Sequence, residues 1–143
     1  MKSAFSLFEL IVVLVILSIL TSFILSKGNS SIDSSIKIKI KSELALIRNS
    51  ITKYKTKNIL LGNSSLIILD NEQINSERSM LFKNILDFPL VSTSTKYKVI
   101  GNWIKKTPFE YIVYLNNNTY LEFKFENNSF NCKSNINLCK EFE

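Results

Sequence analysis

The first thirty residues contain an almost continuous apolar run. Thirteen of the sixteen residues from Leu10 to Leu25 are Leu, Ile, Val or Phe. At about −0.3 to −0.6 kcal/mol for each such residue, the run favours a bilayer by roughly 4–8 kcal/mol. One carboxylate, Glu9, stands directly before it. The pattern predicts a membrane-inserted helix, and two alternatives stay open: a plain anchor, and a secretory signal cleaved after Ser26-Lys27-Gly28.

A helical stripe follows, in which apolar residues recur at steps of four and three. It predicts an amphipathic helix over residues ~30–58 that is about six turns long. Gly62 and the polar residues 63–65 end this helix. The sequence leaves open whether the chain breaks at Gly28 or continues there as one helix. The stripe consists of Ile32, Ile36, Ile40, Leu44, Ile47, Ile51 and Tyr54.

Beyond a connecting region, residues 66–95, the apolar period changes to two. Within the connector we predict a short helix at about Ser76–Leu86, stopped before Pro89. The later pattern predicts antiparallel strands, the last three joined by asparagine-rich turns at 116–118 and 127–128. The predicted fold class is α+β, with a long N-terminal helix packed on a small antiparallel β-meander. The strands are expected at 97–104, 109–115, 119–125 and about 129–133.

The composition argues against an enzyme. The 143 residues contain no histidine and only three glycines. The chain therefore lacks the commonest general acid–base group and the commonest metal ligand, and three scattered glycines cannot form a phosphate-binding loop. We expect no enzymatic activity, no cofactor and no metal site. The acidic residues Asp70, Glu72 and Glu77 do not have the spacing of a calcium-binding loop.

The residues around Glu9 resemble a known processing signal. The stretch Ala4-Phe5-Ser6-Leu7-Phe8-Glu9, followed by a long apolar run, resembles the class III leader of type IV pilins and pseudopilins. The resemblance implies that a prepilin peptidase cuts between Ala4 and Phe5. It also implies that Phe5 becomes an N-methylated terminus and that Glu9 is the hallmark acid used in assembly.

The resemblance also implies domains, location, partners and function. It divides the chain into a leader (1–4), a transmembrane and filament-core helix (5–26) and a periplasmic, pilin-like globular domain (27–143). The protein is then a single-pass inner-membrane protein of a Gram-negative bacterium, with a cytoplasmic N-terminus, until it enters a periplasmic or surface filament. The implied partners are other pilin or pseudopilin subunits, the prepilin peptidase, an inner-membrane platform protein and a cytoplasmic ATPase. The implied function is that of a structural subunit, a pseudopilin or minor pilin, in a type II secretion or type IV filament system.

An electrostatic argument gives Glu9 a role within this resemblance. Cleavage leaves a cationic amine at Phe5, one helical turn from the Glu9 carboxylate. An unpaired charge is costly in a medium of low dielectric constant, and pairing removes most of that cost. We therefore expect Glu9 to set the depth and register of a subunit among neighbouring helices, as buried polar groups do in coiled coils.

Two cysteines, Cys132 and Cys139, lie near the C-terminus. Two reduced core thiols are one interpretation, and a zinc site is disfavoured because it needs two further ligands in a chain without histidine. Outside the cytoplasm we expect a disulfide. A bond that closes so short a loop stabilises the fold by about 2–3 kcal/mol.

The segment 37–57 is basic, with one acid, Glu43, among seven cations. It is a candidate contact for DNA phosphates or anionic lipid headgroups, although a solvated helix face is the simpler interpretation. The alternative function is therefore a competence pseudopilin that contacts DNA during natural transformation. Trp103 with Lys105 and Lys106 is a weaker candidate patch, for which a half-buried strand tryptophan is the simpler interpretation. The seven cations are Lys37, Lys39, Lys41, Arg48, Lys53, Lys55 and Lys57.

Overall fold

The structure is a computed structural model that describes residues 7–63 and 65–142, apart from the side chains of 23–33. The chain divides into two compact units, Met1–Ser35 and Ile36–Glu143. Helix α1, Leu7–Leu60, is helical throughout, including Gly28, so the chain continues there as one helix. The second unit holds a small antiparallel sheet against the later part of α1, which confirms the predicted α+β class.

The buried face of α1 is the predicted apolar stripe. Ile36 and Tyr54 are partly buried at its two ends, and Ile32 lies outside the described side chains. Steps of three and four residues keep the stripe on one side of an α-helix, where it meets the inner face of the sheet. The fully buried members, each no more than 2% exposed, are Ile40, Leu44, Ile47 and Ile51.

The predicted end of α1 at Gly62 is confirmed. Gly62 has a φ of 63°, a left-handed conformation that costs glycine nothing. Its N–H donates to the Ile59 carbonyl (3.2 Å), and the Asn63 N–H donates to the Asn58 carbonyl (2.9 Å). This pair of bonds is a Schellman motif, which satisfies carbonyl groups that the helix end would otherwise leave without donors.

The main sheet is a four-stranded meander in which each strand pairs with the next along the chain. Trp103 pairs with Val113, Tyr111 with Phe123 and Phe125 with Phe130. In β5 the predicted inward trio, Leu121, Phe123 and Phe125, is buried. The strands are β3 (Trp103–Lys105), β4 (Glu110–Tyr114), β5 (Tyr120–Glu126) and β6 (Ser129–Cys132), and a separate two-stranded ribbon is formed by β1 (Met80–Leu81) and β2 (Leu90–Val91).

Both predicted asparagine-rich turns are present. Asn127 and Asn128 have φ values of 52° and 57°, as the two central residues of a type I′ hairpin require. In the other hairpin, the Asn116 side-chain oxygen accepts bonds from the N–H groups of Asn118 and Thr119. Asparagine serves in both turns because it tolerates left-handed backbone and bonds its own neighbouring backbone.

Two predicted elements are wrong in part. Residues 76–86 do not form a helix: Arg78 and Phe82 have φ values of 53° and 60°, and the segment between them pairs with β2. Only one helical turn remains, where the Leu86 N–H donates to the Phe82 carbonyl. The strand predicted at 97–104 begins only at Trp103, because Gly101, with a φ of 78°, turns the chain immediately before it.

A C-terminal helix was not predicted. Helix α2, Ile136–Phe142, follows Asn135, whose side-chain oxygen accepts a bond from the Asn137 N–H as an N-cap. Phe142 is buried in the core, and the predicted disulfide between Cys132 and Cys139 ties α2 to β6. The short terminal segment is therefore held by the apolar side chains of Phe142 and Leu138 and by one covalent bond.

Both edges of the main sheet are engaged by other parts of the second unit. On β3, the carbonyls of Trp103 and Lys105 accept bonds from the N–H groups of Thr93 and Asn75. On β6, the Phe130 carbonyl accepts a bond from Arg48 Nε on α1. Open sheet edges invite pairing with other chains, and these contacts occupy them.

A buried carboxylate joins the connector to the sheet. Asp70 is 5% exposed, and its two oxygens accept bonds from Lys105 Nζ (2.6 Å) and the Tyr111 hydroxyl (2.8 Å). They also accept bonds from the backbone N–H groups of Phe82 (3.1 Å) and Glu72 (3.2 Å). Burial and the Asp70 charge raise the pKa of Tyr111, so the phenol keeps its proton and remains a donor.

We expect Asp70→Asn to lower the free energy of unfolding by about 3–5 kcal/mol, because it leaves the Lys105 ammonium buried without its counter-ion. Adding Lys105→Met should recover part of that loss. Urea unfolding followed by fluorescence of Trp103, the one tryptophan in the chain, measures both effects. Glu126→Gln, on an exposed carboxylate, is the matched control and should change little. A small effect of Asp70→Asn would contradict this role.

Removing the disulfide with Cys132→Ser and Cys139→Ser should lower the free energy of unfolding by about 2–3 kcal/mol. Hydrogen exchange should rise in α2 first, because Phe142, Leu138 and the Lys37–Glu141 ion pair then hold that helix without a covalent bond. Wild-type protein in reductant should behave like the double variant, and the double variant should not respond to reductant. Unchanged exchange in α2 would show that the bond does not hold it.

Candidate functional site

In the first unit, α1 exposes apolar side chains around its whole circumference. Leu7 and Phe8 are 79% and 75% exposed, and the large apolar residues from Leu10 to Leu20 are all between 40% and 58% exposed. Residues 10–20 cover about three helical turns, so no side of this segment is polar. A helix that is apolar all round needs an apolar environment, in a membrane or among other helices.

Two hydroxyl residues of this helix, Ser18 and Thr21, are satisfied within it. The Ser18 hydroxyl donates to the Val15 carbonyl (2.8 Å), and the Thr21 hydroxyl donates to the Leu17 carbonyl (2.9 Å). Neither hydroxyl then needs a water partner. Serine and threonine bonded in this way are compatible with apolar surroundings.

Glu9 lies in the first turn of α1. A carboxylate there interacts favourably with the unpaired N–H groups and the positive end of the helix dipole. The predicted processing residues, Ala4 and Phe5, lie outside the described residues. Among the residues that are described, no helix contains an apolar stretch long enough to cross a membrane.

The seven predicted cations on α1 divide into two groups by their contacts. Lys37 forms an ion pair with Glu141, Lys39 Nζ donates to the Asn102 side chain (2.8 Å), and Arg48 Nε donates to the Phe130 carbonyl. These three bind the rest of the second unit. The other four are exposed and form no ion pair with any described residue: Lys41, Lys53, Lys55 and Lys57.

These cations do not lie along one side of α1. Steps of four and seven residues, or about one and two turns, place four of them along one flank of the buried stripe. A step of eighteen residues, or about five turns, places two more along the opposite flank. The first group is Lys37, Lys41, Arg48 and Lys55, and the second is Lys39 and Lys57.

Trp103 is a buried strand residue, closer to the simpler interpretation than to the weaker candidate of a contact patch. Trp103 and Lys105 are 1% and 6% exposed, and Lys106 is paired with Glu122 (2.6 Å). The Trp103 indole N–H donates to Glu43 Oε2 (2.8 Å). The tryptophan is therefore part of the core, and its polar edge is satisfied by α1.

Glu43 is the less exposed of the two α1 carboxylates whose side chains are described, Glu9 and Glu43. Burial raises its pKa, while the Trp103 hydrogen bond and the nearby Lys39 act in the opposite direction. Glu141 has the opposite balance, because its hydrogen bond with Lys37 and the charge of that lysine lower its pKa. The two carboxylates should therefore make opposite contributions to the pH dependence of stability.

Two acidic residues of the connector, Asp70 and Glu77, serve the fold. Asp70 is bonded to the sheet, and Glu77 Oε1 accepts a bond from the Ser94 hydroxyl (2.6 Å). In the part of the chain that is described, no three His, Cys, Asp or Glu side chains come together as metal ligands. Sequence reasoning missed the Asp70 cluster, because Asp70 and Lys105 are distant in sequence and each is an ordinary surface residue type.

A scan against protein-family models finds no matching family, and searches of the curated proteins and of the solved structures find no similar protein. The established features are thus the α+β fold, the long N-terminal helix, the small antiparallel sheet and the C-terminal disulfide. The apolar surface that surrounds α1 after Glu9 most limits the possible functions, because it needs an apolar environment.

Glu43→Gln should change the pH dependence of stability. Because the pKa of Glu43 is higher in the folded state, the folded protein binds more protons, and its contribution to stability is lost as pH rises from about 4.5 through the raised pKa. The free energy of unfolding of the variant should therefore rise relative to that of wild type as pH rises through this window. Glu141→Gln is the control of opposite sign: its contribution is lost as pH falls through the lowered pKa. Thermal unfolding between pH 3 and 8 measures both, and parallel curves for Glu43→Gln and wild type would contradict the first expectation.

Proposed function

We propose that this chain is a pilin-like structural subunit, a pseudopilin or minor pilin of a type II secretion or type IV filament system. The observation that carries the proposal is an apolar helical surface without a polar side, placed directly after the Ala4-Phe5 junction and Glu9. A helix of this kind needs neighbours that are themselves apolar. The α+β domain that follows provides a folded body to be carried by such a helix.

Before assembly, the apolar helix holds the subunit in the inner membrane. The apolar run of the sequence reaches Leu25, and its insertion energy exceeds the cost of one carboxylate near its end. The internally bonded hydroxyls of Ser18 and Thr21 add little to that cost. The second unit then stands in the periplasm, where its disulfide can form and persist.

During assembly, the same surface changes its neighbours from lipid to other subunits. Apolar packing alone does not fix how far one helix slides along the next, because lipid and protein side chains are equally apolar. The pair between Glu9 and the amine of a processed Phe5, in the same or a neighbouring subunit, supplies that register. The prepilin peptidase, which creates the amine, is therefore required before polymerisation.

Mass spectrometry of the protein purified from its native host tests the processing step. We expect a chain that begins at N-methylated Phe5, because the peptidase cuts after Ala4. An intact Met1, or a chain that begins at Asn29, would contradict the proposal. The second result would indicate an ordinary secretory signal instead.

Glu9→Ala should leave membrane insertion intact and prevent filament assembly, because the variant keeps the apolar surface and loses the partner of the Phe5 amine. Membrane fractionation and a sheared-filament assay separate the two steps. Ser18→Ala is the matched control in the same segment, since its hydroxyl bonds only to its own helix. Normal filaments from Glu9→Ala would overturn the register role.

A further inference from the structure

The second unit carries a separate apolar surface at the end of α1 and the loop after it. We call it the 59–68 surface and include Phe109 with it, because that side chain borders the same loop. Monomeric proteins seldom expose large apolar side chains in one continuous patch unless that patch contacts a partner or a membrane. Its most exposed members are Ile59 (69%), Leu60 (80%), Leu61 (60%), Leu66 (88%), Ile68 (58%) and Phe109 (59%).

Three neighbouring grooves show that this surface is continuous. The first, of about 540 Å³, is lined by Leu60 and Leu61 beside Lys53 and Lys57. The second, of about 310 Å³, shares Lys57 with the first and is bordered by 66–68. The third, of about 700 Å³, shares 66–68 with the second and ends at Phe109 and Phe125. The loop therefore forms an exposed apolar ridge between grooves.

The charge around this surface is positive. Residues 44–69 contain four cations and no Asp or Glu. Lys53, Lys55 and Lys57 are exposed and form no ion pair with a described residue. The nearest groove acids are already neutralised: Asp70 is bonded to Lys105, and Glu126 bridges two lysines, Lys124 and Lys133.

We propose that the 59–68 surface docks on an anionic lipid bilayer. Leu60, Leu61 and Leu66 insert at the boundary between headgroups and acyl chains, and Lys53 and Lys57 bind lipid phosphates while their methylene stems lie along the apolar ridge. The surface lies wholly within the second unit. It therefore gives the globular domain a membrane contact of its own, beyond the proposed role of the N-terminal helix.

The positive charge decides between this partner and a second copy of the chain. Two copies that met through the same surface would bring Lys53 and Lys57 of one copy against the same two lysines of the other, and like charges at an interface are costly. An anionic bilayer offers both an apolar layer and the opposite charge. DNA offers the opposite charge but no apolar environment for the leucines, so it would bind the lysines and leave the apolar side chains exposed to water.

Fluorescence quenching in the full-length chain tests the proposal. The chain has one native tryptophan, Trp103, which is 1% exposed and so cannot be reached by lipid. In the Leu61→Trp variant, brominated acyl chains should quench the introduced tryptophan in phosphatidylglycerol vesicles and not in phosphatidylcholine vesicles. Leu46→Trp is the matched control: Leu46 is also exposed on α1 (54%) and lies outside the surface.

Charge variants in the Leu61→Trp background test the lipid chemistry. Lys53→Gln with Lys57→Gln should lower the ratio of docked to undocked domain roughly 30-fold, because each lysine near an anionic surface contributes about fivefold. Lys96→Gln with Lys98→Gln removes the same charge elsewhere on the unit and should change the ratio little. Quenching at position 61 that does not need anionic lipid or these lysines would overturn the proposal.

Two further outcomes would favour another partner. Equal quenching in the Leu46→Trp and Leu61→Trp variants would show that the domain merely lies near the bilayer, without docking through this surface. Duplex DNA that binds as tightly to a Leu60→Ser, Leu61→Ser variant as to wild type, with no lipid quenching at position 61, would assign the lysines to a polyanion. Each of these results would overturn the membrane contact.

Discussion

The second unit depends on the buried carboxylate of Asp70. Its four donors are the backbone N–H of Glu72 in the connector, the N–H of Phe82 directly after β1, and side chains of β3 and β4. One side chain therefore joins the connector and the end of β1 to the main sheet. It also stabilises a left-handed conformation at Phe82, a costly one for a bulky residue. With its backbone held there, the Phe82 ring packs 4.7 Å from Tyr111 and 5.8 Å from Trp103, in the centre of the core.

The sequence predicts those parts of the fold whose signal is local or periodic. The α1 stripe, the end at Gly62, the two asparagine turns and the alternating β5 strand each follow from residues within a few positions of one another. The ribbon was missed because the apolar spacing of Met80, Leu81 and Ile85 also fits a helix. Pairing with β2 and the bond that the Phe82 N–H donates to the Asp70 carboxylate hold the chain in its other conformation. Long-range polar contacts of this kind leave no mark in a local pattern.

The candidate site shows the same division. The apolar run, Glu9 and the cysteine pair could be recognised from the sequence, and the structure adds how the hydroxyls of Ser18 and Thr21 are bonded. The sequence identifies the seven cations of the basic segment. It does not show that six of them lie on two flanks of α1, or which of the seven bond to the rest of the second unit. Contacts with Glu141, Asn102 and Phe130 employ three of the seven cations, and those residues are far away in sequence. Lys53 and Lys57 remain exposed near the end of α1. They suggest a binding site only because the structure places them beside the 59–68 surface.

The edge strands of the main sheet, β3 and β6, carry backbone groups that are already hydrogen-bonded, and this matters when many domains are held close together. Domains carried on closely packed helices would meet one another at very high local concentration, which is the condition under which exposed strands fuse into continuous sheets and then fibrils. With Thr93, Asn75 and Arg48 already bonded to the outermost strands, fewer backbone groups remain there to extend the sheet of one domain into the next. Neighbours can then separate again as folded units, so a polymer of this chain would be able to disassemble.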